Sequence, residues 1–287
     1  MTIWTDLAEI PFCQSFVDAG GISTRALIAG NDKGDPVIML HGTSGHLEAF
    51  SRNIGPHVRA GFKCHALDAL GHGYTAKPAQ DYEIPIYGNH ILKYLDAQKI
   101  DRAHFIGESL GGWISAWLGI HHPERVQTLQ LVAAGGTKAN PEVMARIKES
   151  TRKAVQTDDV ELTRKRLHLL MHDPKNVSDE LVEIRHRIYH QPDFVANIDH
   201  LLCLQEMEIR QRNLLRPEDL AKIKAPTLIV WGHENPFGGV PEATAMNQNI
   251  KGSRLELFEA CGHWPQHEHA DRFNKLSLQF LEAHRRA

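Results

Sequence analysis

A serine set among closely spaced glycines, Gly107-Glu108-Ser109-Leu110-Gly111 with Gly112 next, is the clearest chemical signal in the chain. A serine hydroxyl is a poor nucleophile at neutral pH and needs a base to take its proton. The glycines permit a strained turn that lifts the hydroxyl above the end of a strand, and they clear side chains from the place where strand and following helix meet. Where a serine is used in this way, an acid and then a histidine follow it along the chain. Of the 19 histidines, His263 in Cys261-Gly262-His263-Trp264-Pro265 stands after the last strand-like run and before the last helix, where that base is expected. His41-Gly42-Thr43 closes an early apolar run. A loop there supplies one backbone N–H to an oxyanion hole, and Leu110, after the serine, supplies the other. The expected chemistry is nucleophilic hydrolysis, with Ser109 and His263 catalytic and Gly42, Thr43 and Leu110 around the oxyanion. His41 itself reads as a brace for its loop.

The elements that must hold these residues follow from hydrophobic pattern. Cys13 to Val17 and Ile22 to Ile28 flank Gly20-Gly21, a hairpin signal. Short apolar runs at 37–40, 62–67, 103–106, 126–133, 227–231 and 255–258 suit strands buried on both faces of a parallel sheet. Helical spacing over 85–97, after the serine turn to about His121, and from about Ala270 completes an alternation of strand and helix. From Ala139 to about Arg216 the chain is charged, helical in period and without strand-like runs. The expected class is α/β, a mostly parallel doubly wound sheet with an inserted helical cap: residues 1–136 and 217–287 form the core and 137–216 the cap. Such a cap covers the C-terminal edge of the sheet, where open α/β sheets place their ligands.

Composition excludes other classes of function. The chain has 287 residues, 42% apolar and 23% charged, with a formal net charge of −3, so no basic footprint for nucleic acid is present. The densest basic run, Arg164-Lys165-Arg166, reads as a solvated helix face. No run approaches a membrane span, and Met1 to Pro11 lacks the pattern of a secretory signal, so a cytoplasmic enzyme is expected. The four cysteines are far apart and read as free thiols. His267 and His269 lack further converging ligands, so neither metal nor cofactor is expected. The expected partner is a small molecule. Homo-oligomers remain open.

With these residues placed, the chain resembles the meta-cleavage product hydrolases, a branch of the α/β-hydrolase fold. The resemblance rests on Arg52-Asn53-Ile54-Gly55-Pro56, on the serine turn with Gly111-Gly112-Trp113, and on Gly262-His263-Trp264-Pro265-Gln266 leading to Phe273-Asn274. It implies hydrolysis of a C–C bond in a vinylogous diketone made by ring fission of a catechol. It also implies that Arg185 pairs with a substrate carboxylate, which a bidentate guanidinium suits, and that Trp264 walls the pocket.

Three departures stand out. The branch places its aspartate fifth in Trp-Gly-x-x-Asp, whereas Trp231-Gly232-His233-Glu234-Asn235 puts Asn235 there. An amide orients a histidine but does not stabilise its imidazolium. Glu234, one residue earlier, is the favoured partner of His263, with Asn235 the alternative. Glu108 replaces an asparagine beside the nucleophile and, if ionised, repels an anionic substrate in the site. Ala49 replaces a substrate-contacting asparagine. A carboxylesterase or lactonase is therefore the second reading, ahead of a ligand receptor or a cofactor-free oxygenase.

Overall fold

The computed structural model describes residues 2–286. Among them eight strands, β1 (Phe12–Asp18), β2 (Ser23–Ala29), β3 (Pro36–Leu40), β4 (Lys63–Leu67), β5 (Ala103–Glu108), β6 (Val126–Val132), β7 (Thr227–Gly232) and β8 (Arg254–Phe258), join in the order β1-β2-β4-β3-β5-β6-β7-β8. β1 and β2 form the hairpin that Gly20 and Gly21 signal, both glycines having positive φ. β2 also runs antiparallel to β4, and from β4 to β8 every pairing is parallel.

The strand cores are apolar because both faces are covered. Val37 and Met39 of β3 face one buried cluster, while Ile38 and Leu40 face the other. Phe105 and Ile106 of β5 divide in the same way. This is the period-two alternation of a strand between two helical layers.

No strand lies between β6 and β7. Helices fill that stretch, the longest being Pro141–Gln156, Val160–His168 and Asp179–Tyr189. Each starts on a side-chain cap, from Asn140, Asp159 and Ser178, that accepts a backbone N–H of the first turn. In Asp179–Tyr189, residues Leu181, Val182, Arg185, Ile188 and Tyr189 are buried, the spacing of one helix face. That phase turns Arg185 inward and leaves the side chain of Arg187 72% exposed.

The helix Val160–His168 corrects the sequence reading of its basic run. Thr163, Arg166 and Leu167 form its buried side, and Arg166 is only 3% exposed. The solvated-face expectation holds for Arg164, which pairs with Glu161 and Asp179 at the surface, but not for Arg166.

The junction of β5 with the helix Leu110–His121 sets the position of the serine. Ser109 has φ 52° and ψ −109°, a left-handed conformation that costs a non-glycine residue about 1–3 kcal/mol. Backbone bonds hold it there: Ser109 N–H donates to Val132 O, and Ser109 O accepts from Trp113 and Gly135 N–H. Gly111 packs directly on the Leu40 carbonyl, and a Cβ would overlap that backbone oxygen. Glycine to alanine inside a helix ordinarily stabilises by about 1 kcal/mol. Gly111→Ala is expected to do the reverse, losing about 3 kcal/mol in urea unfolding, at the upper end of overpacking costs because the obstacle is backbone. An unchanged or raised midpoint would show that the junction gives way freely.

Candidate active site

The loop after β3 and the end of β5 meet at the serine. His41 is buried, with Nδ1 2.8 Å from Gly42 O and Nε2 accepting the Ala69 N–H at 3.1 Å, so it braces the loop. Neither Thr43 N–H nor Leu110 N–H is taken by a protein acceptor, which leaves both free for an oxyanion near Ser109. Ser109, Thr43, Leu110 and His263 line one cleft together.

His263 follows β8 and is 6% exposed. Its Nδ1 lies 2.9 Å from Asn235 Oδ1, and the Phe237 N–H donates to the same oxygen at 3.1 Å. The Phe237 bond fixes which end of the amide faces the ring, because a backbone donor does not bond to Nδ2. His263 Nδ1 must therefore carry the proton, and Nε2 presents a lone pair to the cleft. Burial, with Arg166 nearby, pushes the pKa of His263 down to about 3, so the ring is neutral at physiological pH.

The favoured partner from sequence, Glu234, is not beside His263. Its carboxylate turns away and accepts the Cys261 N–H at 2.8 Å, with 38% of the side chain exposed. That bond lowers its pKa. The turn after β7 thus presents Asn235 inward and Glu234 outward.

No hydrogen bond joins Ser109 to His263. The nearest ionisable group to Nε2 is instead Glu108, with Oε1 at 3.3 Å. Glu108 is 1% exposed and neither oxygen makes a well-aligned hydrogen bond. Burial raises its pKa to about 8, although the Gly42 N–H, Arg185, Arg166 and Trp264 all favour the ionised form. Glu108 is therefore largely protonated at neutral pH and carries no repelling charge there.

Two clefts flank the Ser109–His263 pair. One is lined by Trp113, Val143, Ile147, Leu204 and Phe237, with Arg210 and Glu242 in the same wall. The other is lined by Glu108, Arg166, Leu170, Trp264 and the Gly42 loop. Arg166 bonds to Thr151 through Nε at 3.2 Å, and its Nη1 is buried without a partner. Burial lowers its pKa.

Arg185 stands behind this polar cleft and does not line it. Its guanidinium lies 5.4 Å from the Trp264 ring and 5.8 Å from that of Tyr189. Nε donates to His46 Nε2 at 3.3 Å, His46 Nδ1 reaches Glu48 at 2.7 Å, and Glu48 pairs with Arg25. This buried relay leaves Nη1 and Nη2 of Arg185 unpartnered. Sequence reading missed His46 and Arg166. The cap residue Asp159 is the signal that phases Arg166 inward, whereas nothing in Ser44-Gly45-His46 marks the histidine.

The model of the alpha/beta hydrolase fold matches residues 35–270. A 2-hydroxy-6-oxo-6-phenylhexa-2,4-dienoate hydrolase from Burkholderia cepacia is 33% identical over 257 residues, covering 87% of this chain and 88% of that one. A 2-hydroxy-6-oxononadienedioate/2-hydroxy-6-oxononatrienedioate hydrolase from Comamonas testosteroni is 31% identical with the same coverage. Among solved structures, a meta-cleavage product hydrolase from Pseudomonas fluorescens, complexed with acetates, superposes with a TM-score of 0.82 at 26% identity, over 95% of this chain and 98% of that one.

A carboxylate placed on Nδ1 stabilises the imidazolium that an amide does not. Asn235→Asp is therefore expected to raise turnover by roughly tenfold or more and to raise the pKa governing its acid limb. Glu234→Gln should change either quantity little. The opposite pattern in the two pH–rate profiles would return the acid's role to Glu234.

Proposed function

The chain belongs to the alpha/beta hydrolase fold family, in the branch of the meta-cleavage product hydrolases, and on that premise we propose that it cleaves a C–C bond in a 2-hydroxy-6-oxo-dienoate. The observation that carries this reading is that the two clefts about Ser109 differ in lining: Arg166, Glu108 and Trp264 on one side, and Trp113, Val143, Ile147 and Leu204, with Arg210 and Glu242 in the same wall, on the other. The first suits an anionic dienoate head, with Arg166 at its wall and Arg185 behind Trp264. The second suits the side group attached to the carbonyl.

The groups around Ser109 support the following steps. Ser109 Oγ bonds to the ketone carbon as His263 Nε2 takes its proton. Thr43 and Leu110 N–H hold the oxyanion. The C–C bond then breaks with its electron pair on the dienoate carbon, which takes up a proton. Water hydrolyses the acyl-enzyme and releases a carboxylic acid. Helices of the insertion close over both clefts through Val143, Ile147 and Arg166, so we assign residues 137–216 the part of a cap.

A carboxylesterase is the second reading, favoured by Glu108. Above its pKa of about 8 that carboxyl places a negative charge in the polar cleft, which a neutral ester tolerates better than a dienoate.

Two experiments address these roles. Ser109→Ala is expected to lose labelling by a fluorophosphonate and to reduce turnover by about 10⁴-fold or more. Retained labelling places the nucleophile elsewhere. Replacing Arg185 or Arg166 by methionine is expected to weaken binding of 2-hydroxy-6-oxo-6-phenylhexa-2,4-dienoate by about 2–4 kcal/mol, roughly 30- to 1000-fold, the cost of removing a buried charge partner. A neutral nitrophenyl ester should lose far less. Equal losses on both substrates would mean that the arginines only support the cap. A wild-type chain that turns over only the ester would establish the second reading.

A further inference from the structure

Glu108 is the one carboxyl that faces the catalytic pair from inside the polar cleft. It follows Gly107 at the end of β5, immediately before the strained serine, so its direction is fixed by the same turn. The oxyanion loop packs against it: a Cβ on Gly42 would stand 2.9 Å from Ser109 Cβ and 2.8 Å from Glu108 Oε1. Its Oε1 lies 3.3 Å from His263 Nε2. The titratable groups facing it from other elements are His263 after β8, Arg166 on Val160–His168 and Arg185 on Asp179–Tyr189. Both of its oxygens are buried and poorly bonded, a costly arrangement for an idle side chain.

The other side of His263 lacks what a serine hydrolase ordinarily has there. Asn235 is neutral, and Arg166 further disfavours a positive ring. When Ser109 gives up its proton, the imidazolium has no counter-ion on Nδ1. Resting on Ser109 and His263 as the hydrolytic pair, we propose that Glu108 protonates the leaving group and then, as a carboxylate, serves as counter-ion to the protonated His263.

The protons balance without an added reagent. Ser109 Oγ bonds to the carbonyl carbon and its proton moves to His263 Nε2. The bond from that carbon to the leaving group breaks with its electron pair, and the Glu108 proton goes to that pair. Glu108 carboxylate and His263 imidazolium are then neighbours, and transfer of the Nε2 proton to Oε1 restores a neutral pair. Water attacks the acyl-enzyme, its proton passes to the freed Nε2, and from there to Ser109 Oγ as the acid leaves.

The test separates leaving groups that need a proton from those that do not. A carbon leaving group, or the ethoxide of an ethyl ester, needs one, whereas nitrophenolate departs without one. Glu108→Gln is expected to lower kcat on the dienoate, and on an ethyl ester, by roughly 10²–10⁴-fold, the range for a general acid. On the nitrophenyl ester of the same acyl group the loss should be under about tenfold, with fluorophosphonate labelling retained. In the unmodified enzyme, kcat on the ethyl ester or dienoate should fall as pH rises through about 8, while kcat on the nitrophenyl ester holds or rises. This second arm needs no variant, so it stands if Glu108→Gln does not fold. Equal losses on all leaving groups, or an effect confined to KM for the anionic dienoate, would overturn the proposal. Absence of dienoate turnover by the unmodified enzyme sinks the C–C reading alone, since the two esters still carry the comparison.

Discussion

Asn235 Oδ1 accepts two hydrogen bonds, from the Phe237 N–H and from His263 Nδ1–H, and this double acceptance sets the protonation pattern around the serine. It holds the imidazole in the tautomer whose lone pair faces the cleft, without adding charge. Deep burial, the nearby Arg166 guanidinium and a neutral partner together keep the ring uncharged. The same low-dielectric surroundings keep Glu108 protonated. Two groups that would form an ion pair in water therefore rest as a neutral pair 3.3 Å apart. On the proposed mechanism, Glu108 holds the proton that the leaving group takes.

The scaffold bears the cost of this arrangement at one turn. Ser109 adopts a left-handed conformation because β5 and the helix Leu110–His121 are each fixed by the sheet, and three backbone hydrogen bonds over-determine the residue between them. Strain of that kind persists only where its surroundings outweigh it. Parallel pairing of β3, β5 and β6 brings the Gly42 loop, the serine and the following glycines to a common edge. Helices between β6 and β7 contribute Val143, Ile147 and Arg166 to the clefts at that edge, and Arg166 faces inward because its helix is phased by the Asp159 cap.

Much of this was legible in the sequence, for identifiable reasons. Strands covered on both faces leave continuous apolar runs, so 37–40, 103–106 and 227–231 lie within observed strands. The structure also sets Ser109 and His263 along one cleft, as glycine spacing and chain order implied. The partner on Nδ1 was not legible. Glu234 and Asn235 are adjacent in a turn, and which one faces inward depends on the Asn235–Phe237 bond, a contact with no signature in residue type. Arg166 was lost in a basic run because its inward direction depends on the exact start of a short helix at Asp159. Arg185 was singled out by resemblance, whereas its place behind the cleft and its anchoring by His46 are facts of packing alone.

The neutral, Nδ1-protonated state of His263 is the point on which the rest turns. The direct measurement is ¹⁵N NMR of the histidine ring in the unliganded enzyme, assigned with a His263 variant, across pH 5 to 8. We expect a protonated Nδ1 and an unprotonated, pyridine-like Nε2 throughout, with no titration in that range, since burial holds the pKa at about 3. A ring that titrates near its ordinary value, or that carries its proton on Nε2, would contradict the hydrogen-bonding pattern at Asn235 and the proton store built on it.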